Sequence, residues 1–274
     1  MGKDTASWLM KNLGFWILIV VVLGVAGVGG VGFLGRRWDG TSRFTVIFFE
    51  DGVRVDSFDP QIGKGVRMAL PSDLKIESVA GKGEWNIGVL DKAAKNFGWT
   101  WAADSISDYL GLVYTTHSRE FPLWDKLEWW RVVKKIEWSE VNMEDLGVIT
   151  RQREPDGQEY WQLNGNWDEV ARGMFLSTEI ANQGWNVIVV NSTGIGGAGS
   201  RAARLLENMG MKVRDVSVGE TQEKCQLKTG KERRNWTGVK LVERLWGCEW
   251  VEGSEESEMI VVLGRSYGRW WRGV

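Results

Sequence analysis

The chain has 274 residues, with 34 lysines and arginines against 36 aspartates and glutamates, and a formal net charge of −2. This balance excludes a polybasic nucleic-acid binder held by phosphate neutralisation alone. A single histidine excludes zinc sites built from several histidines. The length predicts about two domains, and 18 tryptophans supply large side chains for cores and interfaces.

The amino-terminal segment is predicted to cross a membrane. Residues 14–34 carry no charged side chain, and a helix of this length at about 1.5 Å per residue spans about one hydrocarbon core. The apolar run is longer than that of a cleaved signal peptide, and no small-residue cleavage site follows Leu34. We therefore predict an uncleaved anchor over 14–34, preceded by a cytoplasmic tail, residues 1–13.

The charges that flank this segment do not decide its orientation. Lys3 and Lys11 precede it, whereas Arg36, Arg37 and Arg43 follow it, so the two sides are nearly balanced. The two cysteines leave the compartment open as well. They fit two reduced thiols in the cytosol or one disulfide in an oxidising exterior.

Residues 41–182 are predicted to form a membrane-proximal α/β domain. The strand-forming segments, which the sequence groups into two hairpins, are 45–49, 53–58, 66–70 and 74–79. The segments with helical spacing of apolar residues are 87–97, 106–110, 123–136 and 167–181. His117 lies between them and is interpreted as a solvated loop residue.

Residues 185–274 are predicted to form a second α/β domain that contains a βαβ unit. The strand 185–190 is followed by a helix over 200–209 and a strand over 211–216. This order predicts two parallel strands joined by a crossover helix.

The turn between strand and helix carries Gly194, Gly196 and Gly199, which have the spacing of a dinucleotide-binding fingerprint. Three residues separate the strand from the first glycine, Asp215 lies inside the second strand, and too few residues follow for a doubly wound sheet. We therefore interpret these glycines as structural, because they permit positive φ and close helix packing.

The carboxy-terminal region shows a strand that leads into Asn191, a turn with Thr193 and Gly194, a helix with small residues, and a last strand before Gly264. This pattern resembles the carboxy-terminal domain of LytR-type envelope proteins over 185–267. That domain is not known to be catalytic.

The region 49–76, with VRVDSFDPQIGKGVRMALPSDLKI in it, resembles the catalytic domain of LytR-CpsA-Psr proteins. The resemblance implies transfer of a glycopolymer from a polyprenyl pyrophosphate to the cell wall, with Asp51 and Asp73 matching the acids that hold a divalent metal. Phe49 and Ser72 stand where the family has arginines. A pyrophosphate clamp without bidentate arginines lacks its strongest contacts, so the domain is interpreted as degenerate.

Both resemblances imply a body outside the cytoplasmic membrane, and thereby favour a disulfide between Cys225 and Cys248. This bond is expected to connect the segment 222–230 to the helix that contains Leu241 and Leu245.

Two tryptophan pairs in the sequence have more than one possible role. Core burial is preferred for Trp129 and Trp130 over a membrane surface or sugar stacking. The sequence gives no preference for Trp270 and Trp271, which lie among arginines.

The predicted fold class is α/β: a single transmembrane helix followed by two small extracytoplasmic α/β domains, the second with the LytR-type βαβ unit. We predict a single-pass cell-membrane protein that binds or scaffolds in cell-wall assembly, without catalysis or a cofactor. Its predicted partners are the membrane, cell-wall glycan or envelope proteins, and no nucleic acid. The alternative is a glycopolymer phosphotransferase that uses Asp51, Asp73 and Mg²⁺.

Overall fold

A computed structural model describes residues 35–253 and 258–273. The mixed α/β class is confirmed, but the predicted fold class is wrong in its membrane-spanning element. The longest described helix has 12 residues, about 18 Å, and no helix within the described ranges is long and apolar enough to cross a membrane. The predicted tail 1–13 and span 14–34 lie outside the described residues.

The structure has strands and helices in two sequential groups. The strands are β1 Phe44–Phe48, β2 Val53–Asp59, β3 Lys64–Leu70, β4 Lys75–Glu77, β5 Glu84–Asn86, β6 Thr116–His117, β7 Glu137–Val141, β8 Ile149–Arg153, β9 Glu159–Leu163, β10 Asn186–Asn191, β11 Lys212–Val218, β12 Gln226–Thr229, β13 Glu249–Glu252 and β14 Glu258–Leu263. The helices are α1 Leu90–Phe97, α2 Trp99–Leu110, α3 Leu123–Val133, α4 Trp167–Phe175, α5 Thr178–Asn182, α6 Ala198–Asn208, α7 Thr237–Trp246 and α8 Arg265–Arg272.

The first sheet has the order β6-β1-β2-β3-β7. Its central strands β1, β2 and β3 form an antiparallel meander, and β6 and β7 add to the two sides in parallel. Successive residues point to opposite faces of a strand. Ile47 accordingly packs into the core beneath α1 and α2, while Val46 packs with Trp38 and Ile136 on the face that α3 covers.

The second predicted hairpin is wrong. β3 pairs with β2 on one edge and with β7 on the other, so both of its edges are occupied. β4 pairs instead with β5 in a separate two-stranded sheet.

The second sheet has the order β11-β10-β14-β12-β13. β10 and β11 are parallel and are joined by α6, which gives the predicted βαβ unit. Cys225 and Cys248 form a disulfide. Each cysteine directly precedes one of the parallel strands β12 and β13, so the bond connects the starts of two neighbouring strands.

The helix predicted over 167–181 is interrupted. Leu176 and Ser177 have extended ψ angles and separate α4 from α5. The Leu176 carbonyl accepts a hydrogen bond from Arg43 Nε at 2.7 Å. A tertiary contact therefore takes the carbonyl that a continuous helix would use.

The last helix connects the two parts of the body. α8 packs against the short 3₁₀ turn Val79–Gly81, which belongs to the first part. Trp270 donates to Asp104 on α2 at 3.0 Å, and its ring contacts the cores of both parts. Arg272 forms an ion pair with Glu77.

Candidate functional site

A cleft of about 200 Å³ opens where the first described residues meet α7 and the break between α4 and α5. Its lining combines cationic, apolar and uncharged polar residues with one acidic residue. The cationic residues are Arg37, Arg43, Lys240 and Arg244; Asp39 is the acidic one; the apolar ones are Trp38, Val113, Phe175, Ile180, Met209 and Leu241.

The segment 35–43 is fixed between both parts of the body. The backbone N–H groups of Arg37 and Trp38 donate to the buried Asp125 carboxylate on α3, at 2.9 and 3.3 Å. The Trp38 indole donates to the Ser42 carbonyl at 2.8 Å and is itself buried. These bonds hold the backbone of the segment in place along the cleft.

Arg43 is the least exposed cation of the cleft. Its guanidinium donates to the Leu176 carbonyl at 2.7 Å and to Ser57 Oγ at 3.2 Å. Burial lowers the pKa of Arg43 to about 10, and the charge of Asp59 only partly opposes this. Neutral oxygens thus hold a charged group whose hydration has been reduced.

Arg244 reaches the cleft from α7 and donates to the Arg37 carbonyl. Burial and the nearby Arg37 charge lower the pKa of Arg244. Within the described part of the chain, neither Arg43 nor Arg244 has a carboxylate oxygen within 4.0 Å of its guanidinium. Arg37 and Lys240 do have such partners, the exposed Glu120 and the half-buried Glu243.

The acidic group of the cleft does not neutralise these cations. Asp39 Oδ1 accepts from the Thr41 N–H, the Ser42 N–H and the Ser42 hydroxyl at 2.8 to 2.9 Å. Burial raises its pKa, but these hydrogen bonds outweigh that effect and the pKa of Asp39 is lowered. The lining therefore has an excess of positive charge together with apolar side chains, which suits an anionic group attached to a less polar body.

The two acids predicted for the phosphotransferase alternative lie outside this cleft. Asp51 is exposed in the β1–β2 turn with a φ of 55°. Asp73 is half-buried in the turn after β3, and its carbonyl accepts the Trp161 N–H at 3.0 Å. Val53 pairs with Leu70, so the two turns lie at the same end of the sheet.

The surroundings of these acids do not fit a Mg²⁺ site. No group of three or more acidic, histidine or cysteine side chains in the described ranges is placed to hold a metal ion. Mg²⁺ can be held by two carboxylates with substrate phosphates, but such a site also needs donors for the phosphates. Among the described residues, neither acid is ion-paired with an arginine, and Arg119 is directed to Glu50, at 3.8 Å.

The glycine-containing turn is organised by its own side chains. Asn191 Oδ1 accepts the Thr193 hydroxyl at 2.7 Å, and Asn191 Nδ2 donates to the Ile195 carbonyl at 2.8 Å. Gly194 has a φ of 81°, which favours glycine. A Cβ on Gly199 would lie 2.8 Å from Val216 Cγ1, so this glycine allows α6 to pack closely on the sheet.

The other glycines of the predicted set differ from one another. Gly196 is exposed, and a Cβ there would contact no atom within 4 Å. Gly264 precedes α8, where a Cβ would lie 2.4 Å from the Lys224 backbone. Thus Gly264 has a steric requirement that Gly196 does not have.

Two interpretations of single residues are wrong. His117 is fully buried in β6 rather than solvated, because its strand lies beside β1. Trp130 is 56% exposed, whereas its neighbour Trp129 packs against Phe48 and Phe121. Trp271 at the other end is buried in the second core.

Comparison with known proteins gives distant structural neighbours. No family model matches the chain, and no curated protein sequence matches it. A Bacillus subtilis protein described as the transcriptional regulator YvhJ is 10% identical, with a TM-score of 0.36, over 47% of this chain and 94% of its own.

Two further neighbours have still lower TM-scores. Bacillus subtilis TagU is 13% identical, with a TM-score of 0.22, over 67% of this chain and 86% of its own. The LytR-CPS2A-psr family protein YwtF (TagT), solved with bound octaprenyl pyrophosphate lipid, is 11% identical, with a TM-score of 0.23, over 77% of this chain and 92% of its own. TM-scores this low do not establish a common fold or activity.

Proposed function

We propose that this protein is a noncatalytic binding component of cell-envelope assembly, and that the cleft holds an anionic group of an envelope polymer. The observation that carries the proposal is the pair Arg43 and Arg244, which line a partly apolar cleft without a carboxylate partner among the described residues. The resemblance of the sequence to LytR-type envelope proteins supports the setting.

A phosphate or carboxylate fits the cleft for an energetic reason. The lowered pKa of Arg43 reflects the cost of keeping its charge away from water, and the exposed residue Arg244 lines the same cleft. An anion between them recovers that cost through charge-assisted hydrogen bonds. The apolar wall formed by Phe175, Ile180 and Leu241 contacts the less polar remainder of the ligand.

The disulfide supports a location outside the cytoplasmic membrane. Bonds such as Cys225–Cys248 persist in oxidising compartments and are rare in a reducing cytosol. The proposal therefore places the body of the protein on the exterior side, where envelope polymers are assembled.

Binding tests this function with the full chain. The probe is poly(glycerol phosphate), with neutral dextran as the uncharged polymer, measured by calorimetry. We expect the phosphate polymer to bind and Arg43→Met or Arg244→Met to weaken it by at least about tenfold, because each removes a charge-assisted hydrogen bond. Arg214→Met, an exposed arginine on β11 outside the cleft, is the matched control. Equal affinity in all three variants would contradict the proposal.

The location is tested separately in cells. Both cysteines are buried, so free thiols are first trapped with a small alkylating agent in denaturant. Mass spectrometry then reads the Cys225 and Cys248 peptides. A joined peptide, together with cleavage of the body by protease added to intact cells, agrees with an exterior location. Alkylated thiols and protection from protease would place the body in the cytoplasm.

The phosphotransferase alternative is favoured by one observation, the common sheet end at which Asp51 and Asp73 lie. It predicts turnover of a polyprenyl-pyrophosphate-linked glycan that requires Mg²⁺ and is lost in Asp51→Asn/Asp73→Asn. Turnover that these changes and a chelator abolish would replace the noncatalytic proposal. Binding without turnover would retain it.

A further inference from the structure

Helix α3 has an outward apolar face that no described residue covers. Leu123 is 66% exposed, Leu127 is 46% exposed and Trp130 is 56% exposed. Their spacing of four and three residues places them on one side of a helix. Large apolar side chains in such a group mark a surface that contacts something else.

The opposite face of the same helix already supplies the core contact. Trp129 packs against Phe48 and Phe121. Its ring centroid lies 6.5 Å from that of Phe48 and 6.0 Å from that of Phe121. Val132 packs in the same cluster. The outward residues are therefore not needed for packing of the helix on the sheet.

Positive charge surrounds this face. The exposed cations on and just after α3 are Lys126, Arg131, Lys134 and Lys135. The Lys134 ammonium lies 3.9 Å from the centre of the Trp130 ring. Tryptophan and leucine side chains bordered by cations are typical of helices that lie in a membrane interface.

The two acids of α3 do not offset this charge at the surface. Asp125 is buried and accepts the backbone N–H groups of Arg37 and Trp38. Glu128 is ion-paired with Arg36 at 2.8 Å. The remaining side-chain charges of α3 and of the two residues after it are all positive.

The described part of the chain begins directly after an apolar stretch of the sequence. Residues 14–34 contain no charge and end one residue before Gly35, where the described part begins. Arg36 and Arg37, the next two residues, are bound to α3. The described chain thus begins beside α3.

We propose that α3 is a membrane-docking helix, with Leu123, Leu127 and Trp130 inserted among the lipids of an anionic bilayer and the surrounding lysines and arginine at the headgroups. The cations are complementary to anionic lipid, and the apolar residues match the acyl boundary. This surface is separate from the cleft and does not depend on the function proposed above.

The experiment uses the full chain with Leu127→Cys, labelled with bimane under non-reducing conditions so that the native disulfide stays intact. Vesicles contain phosphatidylcholine with or without phosphatidylglycerol, and brominated lipids serve as quenchers. Val218→Cys is the matched control, because Val218 is 85% exposed on the edge strand β11. Residues 1–34 are present in both proteins, so a difference between the two positions reports on α3.

We expect bimane at position 127 to shift to the blue and to be quenched several-fold more than at position 218. The difference should be larger with phosphatidylglycerol and smaller at high salt. Equal quenching at the two positions, or none at position 127, would overturn the proposal. A blue shift without lipid that rises with protein concentration would also overturn it, because a second copy would then cover the face.

A charge-reversal pair tests the role of the cations. Arg131→Glu/Lys134→Glu, added to the labelled protein, should remove most of the quenching at position 127 in anionic vesicles. Lys92→Glu/Lys95→Glu makes the same charge change at exposed positions of α1 and should leave the quenching intact. Retention of quenching in the first pair, with an unchanged circular dichroism spectrum, would contradict docking through anionic lipid.

Discussion

Arg201 on α6 donates from Nε to both carboxylate oxygens of Asp108 on α2, each at 2.8 Å. Asp108 has a side chain that is 1% exposed, and the two helices belong to different parts of the body. The ion pair therefore connects the two cores through a buried charge. Burial raises the pKa of Asp108, although Arg201 opposes the change.

We expect Arg201→Met to reduce the free energy of unfolding by about 3 to 5 kcal/mol, because it leaves a buried carboxylate unpaired. Arg172→Met is the control, since its pair with Glu207 is exposed and contributes less than about 1 kcal/mol. Urea unfolding measures both. The deficit of Arg201→Met should become smaller as the pH falls and Asp108 takes up a proton. A similar loss in the two variants would mean that the buried pair does not connect the cores.

His117 gives a pH dependence that a single residue controls, because the chain has no other histidine. Burial lowers the pKa of His117, and the charge of Glu120 only partly opposes this. The unfolded chain binds a proton near pH 6.5, whereas the folded chain does so at lower pH, so protonation favours unfolding.

His117 should therefore lower the free energy of unfolding as the pH falls below 6.5, with a slope of up to about 1.4 kcal/mol per pH unit. His117→Gln removes this titration. Urea unfolding of both proteins is measured at several pH values. The two proteins have the same carboxylates, so the difference between their pH profiles is the contribution of His117. Parallel pH profiles would show that His117 titrates alike in both states.

The disulfide should stabilise the second sheet. Cys225 and Cys248 are 23 residues apart, and closing a loop of this length in the unfolded chain contributes about 3 kcal/mol. Reductant should lower the midpoint of urea unfolding in the native chain. The Cys225→Ala/Cys248→Ala variant is the control, because reductant should leave it unchanged, and a native chain that is equally insensitive would contradict the prediction.

Gly264 and Gly196 should respond differently to the same substitution. A Cβ at Gly264 meets the Lys224 backbone, which cannot yield as a flexible side chain does, so Gly264→Ala should cost about 2 kcal/mol. Gly196→Ala meets no atom within 4 Å and should be nearly neutral. Thermal unfolding measures both, and equal effects would show that sterics at Gly264 are relieved elsewhere.

Local patterns predicted the elements whose partners are close in sequence. The βαβ unit of β10, α6 and β11 follows from apolar spacing and a glycine turn, and the first hairpin, β1 with β2, follows from strand propensity around a turn. The partner of β3 could not be found in this way. It is β7, which comes from beyond α3.

The cleft was missed for the same reason. Arg43 and Arg244 are about two hundred residues apart in sequence and meet only through the packing of the two parts. The break in the helix at Leu176 could not be predicted from the local sequence. The Leu176 carbonyl bonds Arg43, which is 133 residues away in the chain. Asp51 and Asp73 match a family motif, whereas Asp108 and Asp125, which are buried and bonded, lie in no motif.

The position of α8 has a consequence for synthesis of the chain. The turn Val79–Gly81 and Asp104 belong to the first part, yet they contact α8, whose Trp270 is translated 166 residues after Asp104. The first part therefore lacks one of its contacts until α8 has been translated. A ribosome stalled before Arg265 should carry a first part that proteases cut more readily than in the released protein.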